Sequence, residues 1–457
     1  MWEKISTILA GLTLLLAASS TVFASGFALI EQSVSGLGNA FAGGAANAED
    51  ASTIFFNPAG MILLEGKQVI AGAHVIVPST KFTAKIATNV LGGSLGTNNS
   101  GNAGKAGVVP NLYYSQKMTE KLALGIGINA PFGLSTKYDK DWVGRYHAVE
   151  SDLKTVNINP AFAYQATEKL TVGAGINIQY IDATLSSMAD GGLVNMNLPA
   201  ALGGPDALGL GAAGISNPEY DVLAENSADA LNYGYNLGLL YQFSESTRLG
   251  LAYRSQIKHK LEGEVKTTVP AALAPIGVLF AEQNINGSIT LPASASLSLF
   301  HRVNDKLALM GDISWTQWSS FDKLTINFEG FFGIAGQSNS TTTENWDDTW
   351  RYSVGATYKI NDKLLLRTGI AYDETPISDG YRTPRIPGND RLWVALGCGY
   401  QVLDNLGLDF AYTHLFVDDA KMEKSAVPGT EDESRGTVVG EFENSVDIAS
   451  IQLTYKF

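Results

Sequence analysis

The last eight residues, Ser450-Ile451-Gln452-Leu453-Thr454-Tyr455-Lys456-Phe457, decide the fold. Ile451, Leu453, Tyr455 and Phe457 alternate with Ser450, Gln452, Thr454 and Lys456, and a period of two puts each set on its own face of a β-strand. The same pattern runs through Leu392, Val394, Leu396, Cys398 and Tyr400, which oppose Arg391, Trp393, Ala395, Gly397 and Gly399. Leu249, Leu251 and Tyr253 likewise oppose Gly250, Ala252 and Arg254. One face is greasy and the other is small or polar, the inverse of a soluble barrel.

A repeated phrase sets these strands in order. Six times a short polar turn precedes an alternating run: Thr119-Glu-Lys-Leu, Thr167-Glu-Lys-Leu, Ser246-Thr-Arg-Leu, Asn304-Asp-Lys-Leu, Asn361-Asp-Lys-Leu and Leu403-Asp-Asn-Leu. Asn, Asp and Ser in such turns bond their own backbone and tolerate tight geometry. The phrase recurs at irregular intervals of about 40–80 residues, which excludes a solenoid of fixed period. Short turns on one side and long excursions on the other are the asymmetry of outer-membrane barrels. Tyr164, Tyr241, Tyr358 and Tyr400 precede their turns at a common offset and read as one interfacial girdle.

Composition agrees. The 457 residues are 45% hydrophobic and 17% charged, with 48 Gly, 7 Trp, 18 Tyr, 19 Phe and a mean hydropathy of +0.04. A net charge of −14 excludes the basic footprint of a nucleic-acid binder. One Cys excludes a disulfide framework and a thiolate zinc cluster. Beyond the start of the chain no run of about 18 apolar residues occurs, so any membrane crossing must be a closed barrel. At the start, Lys4, the apolar run Ile8–Ala18 and Val22-Phe23-Ala24 form a signal peptide over residues 1–24, too short to span a bilayer.

Six short turns, with both termini on their side, predict an all-β, 14-stranded antiparallel transmembrane barrel. The strands are expected near 67–79, 106–117, 122–137, 150–166, 170–187, 229–243, 248–266, 286–303, 307–328, 343–360, 364–376, 390–402, 406–417 and 444–457. The long loops are 188–228 and 267–285, the second holding a short apolar helix. A lumen that wide is not filled by wall side chains. Residues 25–66, rich in small residues and carrying Phe27, Phe41, Phe55 and Phe56, are too aromatic for a solvated tail and are expected as a hatch inside the barrel (67–457).

Ser25-Gly26-Phe27, the run Gly36-Leu-Gly38-Asn-Ala-Phe41 and Asn57-Pro58-Ala59 resemble the hatch of the FadL/TodX family of outer-membrane channels for long-chain fatty acids and hydrocarbons. Asn129-Ala-Pro131-Phe132-Gly133-Leu, Tyr253-Arg-Ser, Arg367-Thr-Gly-Ile-Ala-Tyr-Asp-Glu-Thr-Pro376, Ile386-Pro387 and Asp390-Arg391-Leu392-Trp393 extend the resemblance over essentially the whole mature chain. It implies uptake of a hydrophobic small molecule, with no catalysis and no cofactor, and because nothing in the chain resembles an energy-coupling box the transport is expected to be passive. It also implies capture on outer loops, a tighter pocket at the hatch, and lateral release through a kink in the third strand. Proline cannot donate to a ladder, so Pro131 marks that kink, with Asn129, Phe132 and Gly133 beside it. Leu198, Leu202, Leu208, Leu210, Ile276, Leu279 and Phe280 are the expected apolar loop groove.

A carboxylate cargo would need a buried cation. Arg254, Arg367 and Arg391 are the candidates, with pairing to Asp312, Asp373 or Asp409 as the plainer role. The fifth strand has no basic residue over 170–187, unlike fatty-acid members of the family, which leans toward neutral cargo. The terminal strand ending on Phe457 resembles the signal read by the barrel-assembly machinery. Outer-membrane lipid, lipopolysaccharide and a monomeric state complete the expected surroundings. Three motif matches are rejected. Gly209-Leu-Gly-Ala-Ala-Gly214 lacks a preceding strand, and Gly92-Gly-Ser94-Leu-Gly96 lacks strand-turn-helix context. The five histidines (74, 147, 259, 301, 414) show no metal-ligand spacing. The rival functions are a general diffusion porin and an outer-membrane lipid-modifying enzyme, the latter needing a pair such as Ser94 with His147.

Overall fold

The computed structural model describes residues 26–333 and 338–457, so the expected signal peptide lies outside the described residues. One antiparallel sheet closes on itself from twenty segments numbered in chain order. They are β1 (Lys67–Thr88), β2 (Gly107–Thr119), β3 (Leu122–Asn129), β4 (Gly133–Lys137), β5 (Glu150–Gln165), β6 (Leu170–Asp190) and β7 (Asp221–Ser244). Then come β8 (Thr247–Arg254), β9 (Ile257–Thr268), β10 (Gln283–Leu291), β11 (Ser294–Arg302), β12 (Leu307–Thr316), β13 (Lys323–Phe328) and β14 (Asn339–Thr343). The rest are β15 (Thr349–Lys359), β16 (Leu364–Asp373), β17 (Arg391–Leu403), β18 (Leu406–Val417), β19 (Ala420–Lys424) and β20 (Thr437–Lys456). Six crossings are split in two (β3–β4, β8–β9, β10–β11, β12–β13, β14–β15, β18–β19), leaving fourteen wall strands. β1 pairs with β20 from Gln68↔Lys456 to Thr88↔Thr437, and this seam closes the barrel.

The alternation read from the sequence sets the two faces. Leu392, Val394, Leu396 and Tyr400 are exposed on the outside, whereas Arg391, Trp393 and Ala395 are buried. Tyr164, Tyr241, Tyr358 and Tyr400 are all exposed at the strand ends, as a girdle requires. Several strands run further than expected on the outer side: β1 continues to Thr88, β7 begins at Asp221 and β20 at Thr437. The outer loops shrink to 191–220 and 269–282 accordingly. A polar stretch around Glu225 or Glu441 looks like loop in sequence, but a strand rising beyond the lipid can be polar on both faces.

The barrel's core is the hatch. Its helical turns Val34–Gly38, Gly44–Asn47, Thr53–Phe56 and Pro58–Leu63 are too short to be stable alone and are held by the wall. Lumenal glycines let the two backbones approach. A Cβ on Gly250 would lie 1.9 Å from the carbonyl oxygen of Ala45, and one on Gly173 would lie 2.3 Å from the nitrogen of Ala59. Amide side chains complete the docking. Asn57 Nδ2 donates to the carbonyls of Ala45 (2.7 Å) and Leu239 (2.9 Å), and Asn39 Nδ2 to that of Ala356 (2.8 Å).

Candidate functional site

The third crossing breaks after Asn129 and resumes at Gly133. Its outer half β4 pairs only with β5, while β2 pairs with β3 no further than Leu112↔Ile128. The seam rejoins at Gly104↔Thr136, so the ladder between these two crossings is interrupted at 130–135, an unpaired stretch that forms the candidate window. The hatch fills its inner side. Leu29 N donates to the Pro131 carbonyl at 2.8 Å, and Gly133 N donates to the Phe27 carbonyl at 2.9 Å. Thr155 Oγ1 accepts from Phe132 N at 2.9 Å, and Asn129 Oδ1 accepts from Asn157 Nδ2 at 3.1 Å. The backbone groups released by the proline break are thus satisfied by the hatch and a threonine rather than left unpaired.

Phe27 is buried in an aromatic cluster with Phe132, Trp318, Phe321 and Trp346, at ring separations of 6.0, 4.9, 5.5 and 5.9 Å. The three residues on the far side of this cluster sit where the crossings β12–β13 and β14–β15 are interrupted, whereas the expected strands 307–328 and 343–360 ran straight through them. Phe41 stacks on Phe56 at 5.7 Å and meets Trp393 edge-on at 6.4 Å. Gly38 presses against the wall, since a Cβ there would lie 3.1 Å from Gly397 Cα; Gly36 lies on the same turn, under Phe41. Asn57 caps the Pro58-Ala59 turn, its Oδ1 accepting from Ala59 N at 3.0 Å.

Between this hatch and the wall lies a cavity of about 160 Å³. Ala28, Leu29, Ile30, Phe55 and Phe56 bound it from the hatch, Pro131 and Phe132 from the kink, and Leu237, Ala252, Pro292 and Trp318 from the wall. Two cations face it. Arg254 donates to Asn177 Oδ1 (2.5 Å) and to the Phe55 carbonyl (2.9 Å), with its guanidinium 4.3 Å over the Phe55 ring. Arg351, which was not among the sequence candidates, donates Nη2 to the Ala40 carbonyl at 2.9 Å, while its Nε and Nη1 are buried without partners among the described residues. Its inward direction was readable from Trp350 and Tyr352 on either side, both exposed. Asp373 stands opposite Arg351 on the ladder and also lines the cavity.

The other two candidate arginines lie elsewhere. Arg367 is bound to Glu49 of the hatch and, at 2.8 Å, to Asp409, an anchor on the short-turn side of the plug. Arg391 is buried outside the cavity lining, with Nη1 unpartnered among the described residues. The expected loop residues do converge. Leu198, Ile276 and Phe280 are buried in one cluster, with Leu202, Leu208, Leu210 and Leu279 packed against it. The loop 269–282 is a turn of tight helix over Ala271–Phe280. The cluster is closed rather than an open groove, because the two apolar loops bury one another and leave Val278 exposed at the tip.

Comparison with known proteins accords with this architecture. The family model described as "Outer membrane protein transport protein (OMPP1/FadL/TodX)" matches residues 15–457. A putative outer membrane protein of Neisseria meningitidis is 33% identical over 96% of each chain. A long-chain fatty acid transport protein of Escherichia coli O6:H1 is 29% identical over 92% of this chain and 94% of its own. Among solved structures, a Pseudomonas aeruginosa FadL homologue superposes with a TM-score of 0.85 at 26% identity, covering 94% of this chain and 100% of its own. With a plugged fourteen-strand barrel, a matching family model along nearly its whole length and relatives named as outer membrane proteins, the chain belongs to the OMPP1/FadL/TodX family of outer-membrane transport proteins.

Proposed function

We propose that this channel takes up long-chain fatty acids passively. Cargo is captured at the outer loops, held in the cavity with its head group toward Arg254 and Arg351 and its tail on Phe55, Phe56 and Trp318, and released sideways through the window at Pro131. The observation that carries the reading is that one cavity touches hatch, window and two arginines at once. A buried guanidinium bonded only to neutral acceptors, as Arg254 is, favours an anionic ligand, because a carboxylate offsets its lost hydration. A named relative in Escherichia coli is a long-chain fatty acid transport protein. Lateral release suits an amphiphile, which gains more in the bilayer than in water. On this reading the barrel is a monomer set in outer-membrane lipid and lipopolysaccharide, with Phe457 read during its assembly and no reaction catalysed.

Neutral hydrocarbon is the second reading, favoured by the absence of Lys or Arg over 170–187 in β6. Cells in which this chain is the sole such channel, given labelled oleate or toluene, decide between them: oleate uptake is expected, and toluene uptake alone would reverse the assignment. Replacing Pro131 and Gly133 with valine restores a regular strand, and uptake should fall to that of cells lacking the channel. Undiminished uptake would remove the lateral route. A diffusion porin is opposed by the filled lumen, and deletion of 25–60 should sensitise cells to bulky antibiotics.

A further inference from the structure

A second cavity, of about 280 Å³, lies at the outer mouth, away from the hatch. It is enclosed by the segment 138–149, the outer end of β6, the segments β13 and β14, and the loops 374–390 and 425–436. We propose that it is an anion-recognition site centred on Arg385, which takes the carboxylate head of an amphiphile and lays the first part of the tail against an apolar wall.

The cationic side is specific. Arg385 donates Nη1 to the Glu150 carbonyl (3.2 Å) and Ser151 Oγ (3.0 Å), and Nη2 to the Ser186 carbonyl (3.2 Å). All three acceptors are neutral, and the one carboxylate among the described residues whose charge acts on this guanidinium is the buried Glu344. Arg435 shares the cavity wall, and Lys424 stands behind, 4.0 Å from Asp432. Asp190 and Glu431 also line the cavity, and they and Asp432 behind it are already engaged. Asp432 faces Arg435 at 3.3 Å and Lys424, Glu431 accepts from Thr343 N at 2.9 Å, and Asp190 accepts from Leu193 N and Ser216 N. Glu344 is buried against Trp346, and burial first of all pushes its carboxyl up to about 8, so it adds little negative charge at neutral pH.

His147 reports the local field. Its Nε2 is buried without a hydrogen-bond partner among the described residues. Burial, and then Arg435, Lys424 and Arg385, hold its imidazole well below the ordinary range even though Asp432 lies 3.6 Å away. The opposite wall is Met188, Val194, Leu324 and Ile326. A cationic pole facing an apolar strip fits a single-headed anionic amphiphile and disfavours both free inorganic anions and neutral oils.

This inference rests on the uptake reading, so its test separates the two. The full-length barrel in lipid nanodiscs is titrated with dodecanoate, dodecanol and inorganic phosphate, with folding checked by the faster gel mobility of the unheated barrel. Wild type should bind dodecanoate in two classes. Arg385→Gln should weaken one class about tenfold, the scale of a lost charge-assisted bond, with dodecanol unchanged and partial recovery in Arg385→Lys. Dodecanoate bound equally by wild type and Arg385→Gln overturns the site. Phosphate occupying it without competition from dodecanoate overturns the carboxylate assignment, leaving a phosphate head-group site. Oleate uptake by cells is measured in parallel: its absence overturns the channel reading, whereas normal uptake with unaltered Arg385→Gln binding overturns only the site.

Discussion

The N–H of Leu29 in the hatch donates to the carbonyl of Pro131 in the wall at 2.8 Å, and a return bond runs from Gly133 N to the Phe27 carbonyl at 2.9 Å. Plug and window are therefore one hydrogen-bonded unit. Leu29→Pro deletes the first donor at a cost of about 1 kcal/mol, roughly fivefold in the detached population. Hydrogen–deuterium exchange should then rise in 26–33 and also in 129–134. A rise confined to the hatch would show that the two are not coupled.

Arg367 ties Glu49 of the plug to Asp409 of the wall, and both Arg367 and Asp409 are buried. Arg367→Leu leaves Asp409 uncompensated and should lower barrel stability by about 3 kcal/mol in urea unfolding. Adding Asp409→Leu should recover most of that loss, since the stranded charge is the larger part of the penalty. A double variant as unstable as the single one would contradict this account.

Arg254 faces the inner cavity with only neutral acceptors. Arg254→Gln should weaken the tighter class of dodecanoate binding by about 1.5–3 kcal/mol and leave dodecanol unchanged. Equal losses for the two ligands would assign Arg254 to hatch packing through the Phe55 ring instead.

Glu344 lies in an outer loop, with Trp346 Nε1 donating to it at 3.1 Å, and burial raises its carboxyl from 4.5 to about 8. A carboxyl raised on folding binds its proton more tightly in the folded state, so its contribution is full below pH 4.5 and lost as pH rises through about 8. Protection of this loop against trypsin should decline across that window, and Glu344→Gln should flatten the decline. A protection profile unchanged by Glu344→Gln would place the titration elsewhere.

Much of this architecture is legible in the sequence. The outward set Leu392, Val394, Leu396 and Tyr400 and the inward set Arg391, Trp393 and Ala395 follow from a period of two. Arg351 was equally readable from the exposed Trp350 and Tyr352 beside it. Pro131 marked the broken strand because its missing donor is a chemical fact of the residue. By contrast, Trp318 and Trp346 lie where the structure interrupts the expected strands 307–328 and 343–360, and nothing local foretells that Phe27 packs against both.

By itself, then, the sequence determined the barrel, its count of fourteen wall strands, its two faces and the presence of a plug, because pleat periodicity and turn chemistry are local properties of the chain. Only the tertiary structure decided which arginine does what. Arg254, Arg351, Arg367 and Arg385 all point inward or lie in loops by pattern, yet Arg367 is consumed by Glu49 and Asp409 while Arg254 and Arg385 meet only neutral acceptors. Whether a buried cation is an anchor or a receptor depends on the carboxylates that chain closure brings within reach, and those come from residues far away in sequence.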